Sequence, residues 1–161
     1  MNVLVVFIAL AVFLFLAAFL TKRRFGLLGL ALAAGATLSM LWIDEAGELV
    51  AMIGLFPISP LTNAVTLGLL VLLPAILLLF HGYSYKRLPG RIIGATLFTL
   101  LALAFLVDPL QFALQLDGVG GTVYRWLQEY KDVIIGLGMV IAVVDLFLTK
   151  PAPAPEKKGK H

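Results

Sequence analysis

The chain contains no cysteine and only two histidines, His81 and His161. Disulfides, thiolate nucleophiles and cysteine-ligated metals are excluded together, and a multi-histidine metal site would need the terminal histidine to fold back. Charge is scarce as well: 13% of the 161 residues are Asp, Glu, Lys or Arg, against ~25% in soluble domains. A hydrolytic centre needs Ser with His or Lys, paired Asp, or a His-Glu metal spacing, and none of these patterns occurs. Gly118, Gly120 and Gly121 do not form a phosphate-cradling loop, because no strand pattern precedes them and no Lys-Ser/Thr follows. They read as a flexible joint. No catalytic, cofactor-binding or metal-binding residue is expected, and an enzyme is the least favoured class.

What fills the chain is apolar: 61% of residues are hydrophobic and the mean hydropathy is +1.06. A transmembrane helix needs about 20 mostly apolar residues. Five stretches approach that length: Asn2 to Leu20, Phe25 to Ile43, Asn63 to Phe80, Ile92 to Leu110 and Val133 to Thr149. The expected fold is therefore an all-α integral membrane protein, a bundle of about five transmembrane helices forming one domain over residues 1–149. Residues 150–161, Pro/Ala-rich and then Lys-rich, have nothing with which to bury a core and are expected to be a disordered tail. The first run has its positive charges after it rather than before it, so it reads as a retained anchor and not a signal peptide.

A net charge of +3 and a pI near 9.3 would raise the question of nucleic acid in a soluble protein; here the positions of the charges answer it, and no nucleic-acid partner is expected. Lys22, Arg23 and Arg24 fall in the first connection, Lys86, Arg87 and Arg91 in the third, and Lys150, Lys157, Lys158 and Lys160 in the tail. The second connection has no basic residue and the fourth only Arg125 and Lys131. Positive charge is retained on the cytoplasmic side, so the N-terminus is expected outside and the C-terminus in the cytoplasm. The same basic residues could bind anionic lipid headgroups, although their topological role already accounts for them.

The outer connections look like surface-lying segments. Asp44 to Thr62 begins acidic, carries the apolar piece Leu49 to Phe56, and meets Pro57 and Pro60, which stop a helix by removing donors and restricting the preceding residue. Thr122 to Asp132 places Val123, Trp126, Leu127 and Tyr130 at i, i+3, i+4 and i+7, which predicts a short amphipathic helix on the outer interface.

Within the runs, Asp145 is the one intramembrane ionisable candidate, a default functional-site hypothesis. Its position near the end of its run also suits an interfacial anchor or a pair with Lys150. Asp108, before Pro109, reads as a water-exposed helix terminus, and His81 as a solvated interfacial histidine. The second run is small-sided: Gly29 with Ala33, and Ala31 with Gly35, are small-xxx-small pairs, and Gly90 with Gly94 makes a GxxxG. Small residues let helix backbones approach closely, either within the bundle or between copies. Pro74 is expected to kink the third run.

Arg91, Ile92, Ile93, Gly94 and Ala95 resemble the arginine–aliphatic–aliphatic–glycine–alanine start of the corresponding helix in the colicin V production protein family. The likeness extends to the apolar first run followed by Lys22, Arg23, Arg24, Phe25 and Gly26, and covers about the first 110 residues. Gly90 stands where that family usually has an acidic residue, and the fifth run is an addition. The resemblance implies a small inner-membrane protein linked to export or envelope maintenance, with no established catalytic site. The expected function is thus a multi-pass membrane accessory, scaffold or assembly subunit whose partners are the lipid bilayer and other membrane subunits or a second copy of itself. The alternative is a component of a small oligomeric channel or transporter, which would need several polar groups converging at depth.

Overall fold

The computed structural model describes residues 3–45, 48, 50, 52, 59–80, 85, 87–111 and 118–148. Five helices are described from end to end: α1 (Val3–Thr21), α2 (Phe25–Leu41), α3 (Pro60–Leu79), α4 (Leu88–Leu110) and α5 (Gly118–Phe147). Three of them, α1, α3 and α4, are long and apolar enough to cross a membrane. The 17 residues of α2 are apolar but shorter, and α5 has 30 residues with its charges concentrated in the first half. The interfacial dip expected over most of residues 44–62, His81, Lys86 and the tail from Lys150 lie outside the described residues.

Helix boundaries follow local chemistry. α1 ends where Lys22 takes a left-handed conformation, φ 58°, the geometry that commonly closes a helix just past its last turn. The turn points the Lys22 carbonyl at the Tyr85 N–H, 2.7 Å away. α3 begins earlier than its apolar run, at Pro60, and here the expectation that Pro60 terminates a helix is corrected. Ser59 caps α3, its Oγ accepting from the Thr62 N–H at 3.1 Å, and Pro60 follows in the first turn, where a missing donor costs nothing and the fixed φ suits the helix. Pro74 lies inside α3, which runs on to Leu79.

The amphipathic segment is the second correction. Thr122 to Asp132 is not a separate short helix preceded by a flexible glycine joint, because one uninterrupted helix runs from Gly118 to Phe147. Glycine costs a helix up to about 1 kcal/mol against alanine, and packing outweighs that here. Tyr124 and Leu127 are buried against Phe7 of α1 and Val107 of α4, and the Tyr124 hydroxyl donates to the Val107 carbonyl at 3.3 Å. At 1.5 Å per residue such a helix is about 45 Å long, well beyond the ~30 Å of a hydrocarbon core.

α2 is the hub of the bundle, packed on α3, α4 and α5, while α1 lies mainly along α4. Its small residues permit this, since a helix with three close neighbours has little room for side chains. Phe25, Leu28 and Leu32 of α2 meet Val71 of α3, Phe98 and Leu101 of α4 and Ala142 of α5 in the main core. The outer faces are apolar too: Phe13, Leu20, Leu69, Leu77, Ile93 and Leu137 are all exposed. A water-soluble protein rarely leaves so much contiguous apolar surface uncovered, and the arrangement is consistent with a membrane protein. The C-terminal ends of α1, α3 and α5 gather with the starts of α2 and α4 at one end of the bundle, called here the basic end. Asp44, Glu45 and Asp108 mark the opposite, acidic end.

Candidate functional site

The predicted site residues converge mainly at the basic end, where helix termini leave peptide groups without intrahelical partners. Asp145 sits in the last turn of α5, and its Oδ2 accepts the Gly26 N–H at 2.9 Å. The carboxylate therefore lies on the first turn of α2, where the helix dipole favours negative charge. The next donor is satisfied indirectly: the Phe25 N–H donates to the Tyr85 hydroxyl at 3.2 Å, and that hydroxyl is itself hydrogen-bonded to Asp145. Burial pushes the Tyr85 phenol above its ordinary pKa, with the Asp145 charge acting in the same direction. The phenol accordingly stays protonated as the bridging donor throughout the physiological range.

Glycines make this approach possible. A Cβ on Gly26 would lie 2.5 Å from the Ala142 carbonyl oxygen and 2.8 Å from Leu146 Cγ, so no side chain fits between α2 and α5. Gly29, one turn on, faces Ala142 of α5 and Leu101 of α4. Gly90 and Gly94 have a different use from the helix contact their spacing suggested. Both abut the Tyr85 ring, with a Gly94 Cβ placed only 2.6 Å from its Cε2, so the GxxxG on α4 seats an aromatic ring and not another helix. Gly35 lies nearer the other end of α2 and meets the Val71 carbonyl of α3; Ala33 is part-buried.

The basic residues are built into the same end. Arg23 donates from Nε to the Leu79 carbonyl at 2.9 Å and from Nη2 to the Phe80 carbonyl at 2.8 Å, closing the C-terminus of α3. Arg91 donates to the Phe19 carbonyl at 2.9 Å and lies 4.5 Å from the Phe19 ring centroid, closing the end of α1. Arg24 stacks over Tyr85 at 5.5 Å. Lys22 forms the turn after α1, and Arg87 precedes the first residue of α4, its carbonyl accepting from the Arg91 N–H at 3.3 Å. Arg23 and Arg91 thus place positive charge against negative helix ends, a favourable arrangement. Arg23→Ala is expected to cost about 1.5 kcal/mol, the lower range for hydrogen bonds to charged groups, with Arg23→Lys recovering only part because lysine lacks the planar fork. Thermal unfolding in detergent checks this, and an unchanged midpoint for Arg23→Ala would show that the α3 end does not depend on it.

No signal in the sequence pointed to Tyr85 in this role. Its partners are 60 residues away at Phe25 and 60 again at Asp145, and no spacing signal connects positions so distant. Among the described residues, the cluster holds one carboxylate, bound by the Gly26 N–H and the Tyr85 hydroxyl. Among the described residues, no group of three or more His, Asp or Glu is placed to hold a metal.

A second feature lies toward the acidic end, where α2, α3, α4 and α5 enclose a cavity of about 430 Å³. Its floor is apolar, with Leu67, Val71, Phe105 and Ile135, and Ser39, Asp108, Lys131 and Asp132 add polar groups. Asp108 lies in the last turn of α4 with its side chain 46% exposed, and Lys131 Nζ reaches its Oδ1 at 2.7 Å from α5.

Comparison with known proteins finds no matching family model, curated protein or solved structure.

Proposed function

We propose that the chain is a small multi-pass membrane accessory or assembly subunit, non-enzymatic, that pairs with a second copy of itself along α5. One observation carries this reading. Val123, Trp126, Tyr130, Val133, Leu137, Val140, Val144 and Phe147 are all exposed and recur at intervals of three and four without a break. That is the 3.5-residue repeat by which two helices keep one seam in register. In the outer half the stripe is narrow, bordered by exposed Arg125, Gln128, Glu129 and Asp132, where contact with lipid tails alone would not require a single apolar line. Gly136, beside the seam, has open space around it and gives two backbones room to approach.

In this reading the chain crosses an inner membrane five times, with its N-terminus outside and its C-terminus in the cytoplasm, and serves export or envelope maintenance as the colicin V production resemblance implies. The engagement of four threonine hydroxyls and of Asp145 among the described residues supports this reading over a channel or transporter. The hydroxyls of Thr37, Thr66, Thr96 and Thr99 each donate to the carbonyl four residues back, and Asp145 is held on α2.

The absence of cysteine makes the test clean. Single cysteines at Leu137 and Val140 should form disulfide-linked dimers on mild oxidation in native membranes, whereas one at Ile8, exposed on α1, should not. Equal yields from all three sites, or monomer throughout, would overturn pairing along α5.

A further inference from the structure

We propose that the cavity at the acidic end is a binding site for one aminophospholipid, with its ammonium headgroup at the Asp108–Asp132 mouth and an acyl chain on the apolar floor. A volume of about 430 Å³ falls within the ~300–1,000 Å³ of small-molecule sites, which pair a mostly apolar lining with a few fixed polar groups. The polarity is graded along the cavity. Val71 on the floor lies near the midpoint of α3, whereas Asp108 stands in the last turn of α4. The pocket therefore runs from a helix end toward the middle of the bundle, the direction in which a lipid tail descends from its headgroup.

Charge selects the headgroup. The mouth brings together two carboxylates, Asp108 and Asp132, and a single ammonium, Lys131, which is already committed to Asp108 at 2.7 Å. One negative charge is left over, and Asp44 and Glu45 follow directly after Ile43, itself part of the cavity wall. A primary ammonium places a positive charge against the surplus carboxylate and brings three donors for carboxylate oxygens. The phosphodiester beside it can accept from Lys131. An anionic headgroup such as phosphatidylglycerol offers no cation, and repels the surplus carboxylate.

The test uses the full chain, purified in detergent, stripped of lipid and incubated with phosphatidylethanolamine or phosphatidylglycerol of the same acyl chains, with bound lipid counted by native mass spectrometry. One phosphatidylethanolamine per chain is expected, retained about ten-fold better than phosphatidylglycerol, the factor set by one charge-assisted contact. Asp132→Asn, an exposed position whose change leaves the core intact, should lower retention to the phosphatidylglycerol level without moving the melting temperature. Asp108→Asn should do the same for lipid while also releasing Lys131. Equal retention of the two lipids, or undiminished phosphatidylethanolamine in Asp132→Asn, would overturn the assignment. Neither result bears on dimer formation through α5, which is read separately by cross-linking.

Discussion

Gly35→Ala is expected to destabilise the bundle by about 3 kcal/mol, the upper part of the range for overpacking a filled interior. The single added carbon would run into the Val71 carbonyl oxygen of α3, with the Val71 carbonyl carbon at 2.7 Å and the Leu70 carbonyl oxygen at 2.8 Å. These are backbone atoms of a helix that is itself packed, so no rotamer change relieves the clash. The only response is to push α2 and α3 apart, which opens the core around Leu32 and Val71. Gly68→Ala provides the comparison: it lies on α3, where a Cβ meets only Leu106 Cδ2 at 3.5 Å, ordinary contact. It should be neutral or stabilising by up to about 1 kcal/mol from helix propensity. Unfolding midpoints in detergent, with the monodisperse fraction on gel filtration, decide the matter. If the two variants melt together, α2 and α3 do not touch through Gly35.

Asp145→Leu is expected to cost about 2 kcal/mol, since it leaves the Gly26 N–H and the Tyr85 hydroxyl without their acceptor in a part-buried site. Asp145→Asn keeps an oxygen in place for the Gly26 N–H and loses only the charge at the α2 N-terminus, worth about 0.3–1 kcal/mol. Its stability and cellular activity should therefore remain near those of the parent chain. The two variants separate the structural role of the carboxylate from a proton- or ion-coupled one. An amide cannot exchange a proton near neutral pH, so an Asn variant that folds and accumulates normally but loses activity in complementation would overturn the structural role and promote the transporter alternative. Equal losses of stability in Asn and Leu would instead show that charge, and not the accepting oxygen, holds α2 and α5 together.

The elements and their order were legible in the linear pattern, because apolar runs of about 20 residues have few solutions other than helices. Their edges were less legible. Pro60 reads as a breaker in isolation, and only the Ser59 side chain bonded to Thr62 shows it starting α3. Gly118 to Gly121 read as a hinge for the same reason: the burial of Tyr124 and Leu127 against Phe7 and Val107, which outweighs glycine's helix cost, involves residues far away in the chain. The small residues of α2 announced close packing, but which neighbour each one meets was invisible; Gly26 and Gly29 face α5, Gly35 faces α3, and the Gly90–Gly94 pair faces a tyrosine ring.

By itself, then, the sequence determined an apolar helical chain without thiols, and the clustering of its basic residues in alternate connections. Hydrophobicity and charge act on short stretches, so their consequences appear in short windows. Tertiary structure alone decided that Asp145 meets the first turn of α2 and that Arg23 and Arg91 close the ends of α3 and α1. It also decided that Lys131 pairs with Asp108 at the mouth of a cavity. Each of these contacts joins unsatisfied peptide or side-chain groups on different helices, and their meeting depends on how the helices cross and not on any spacing along the chain.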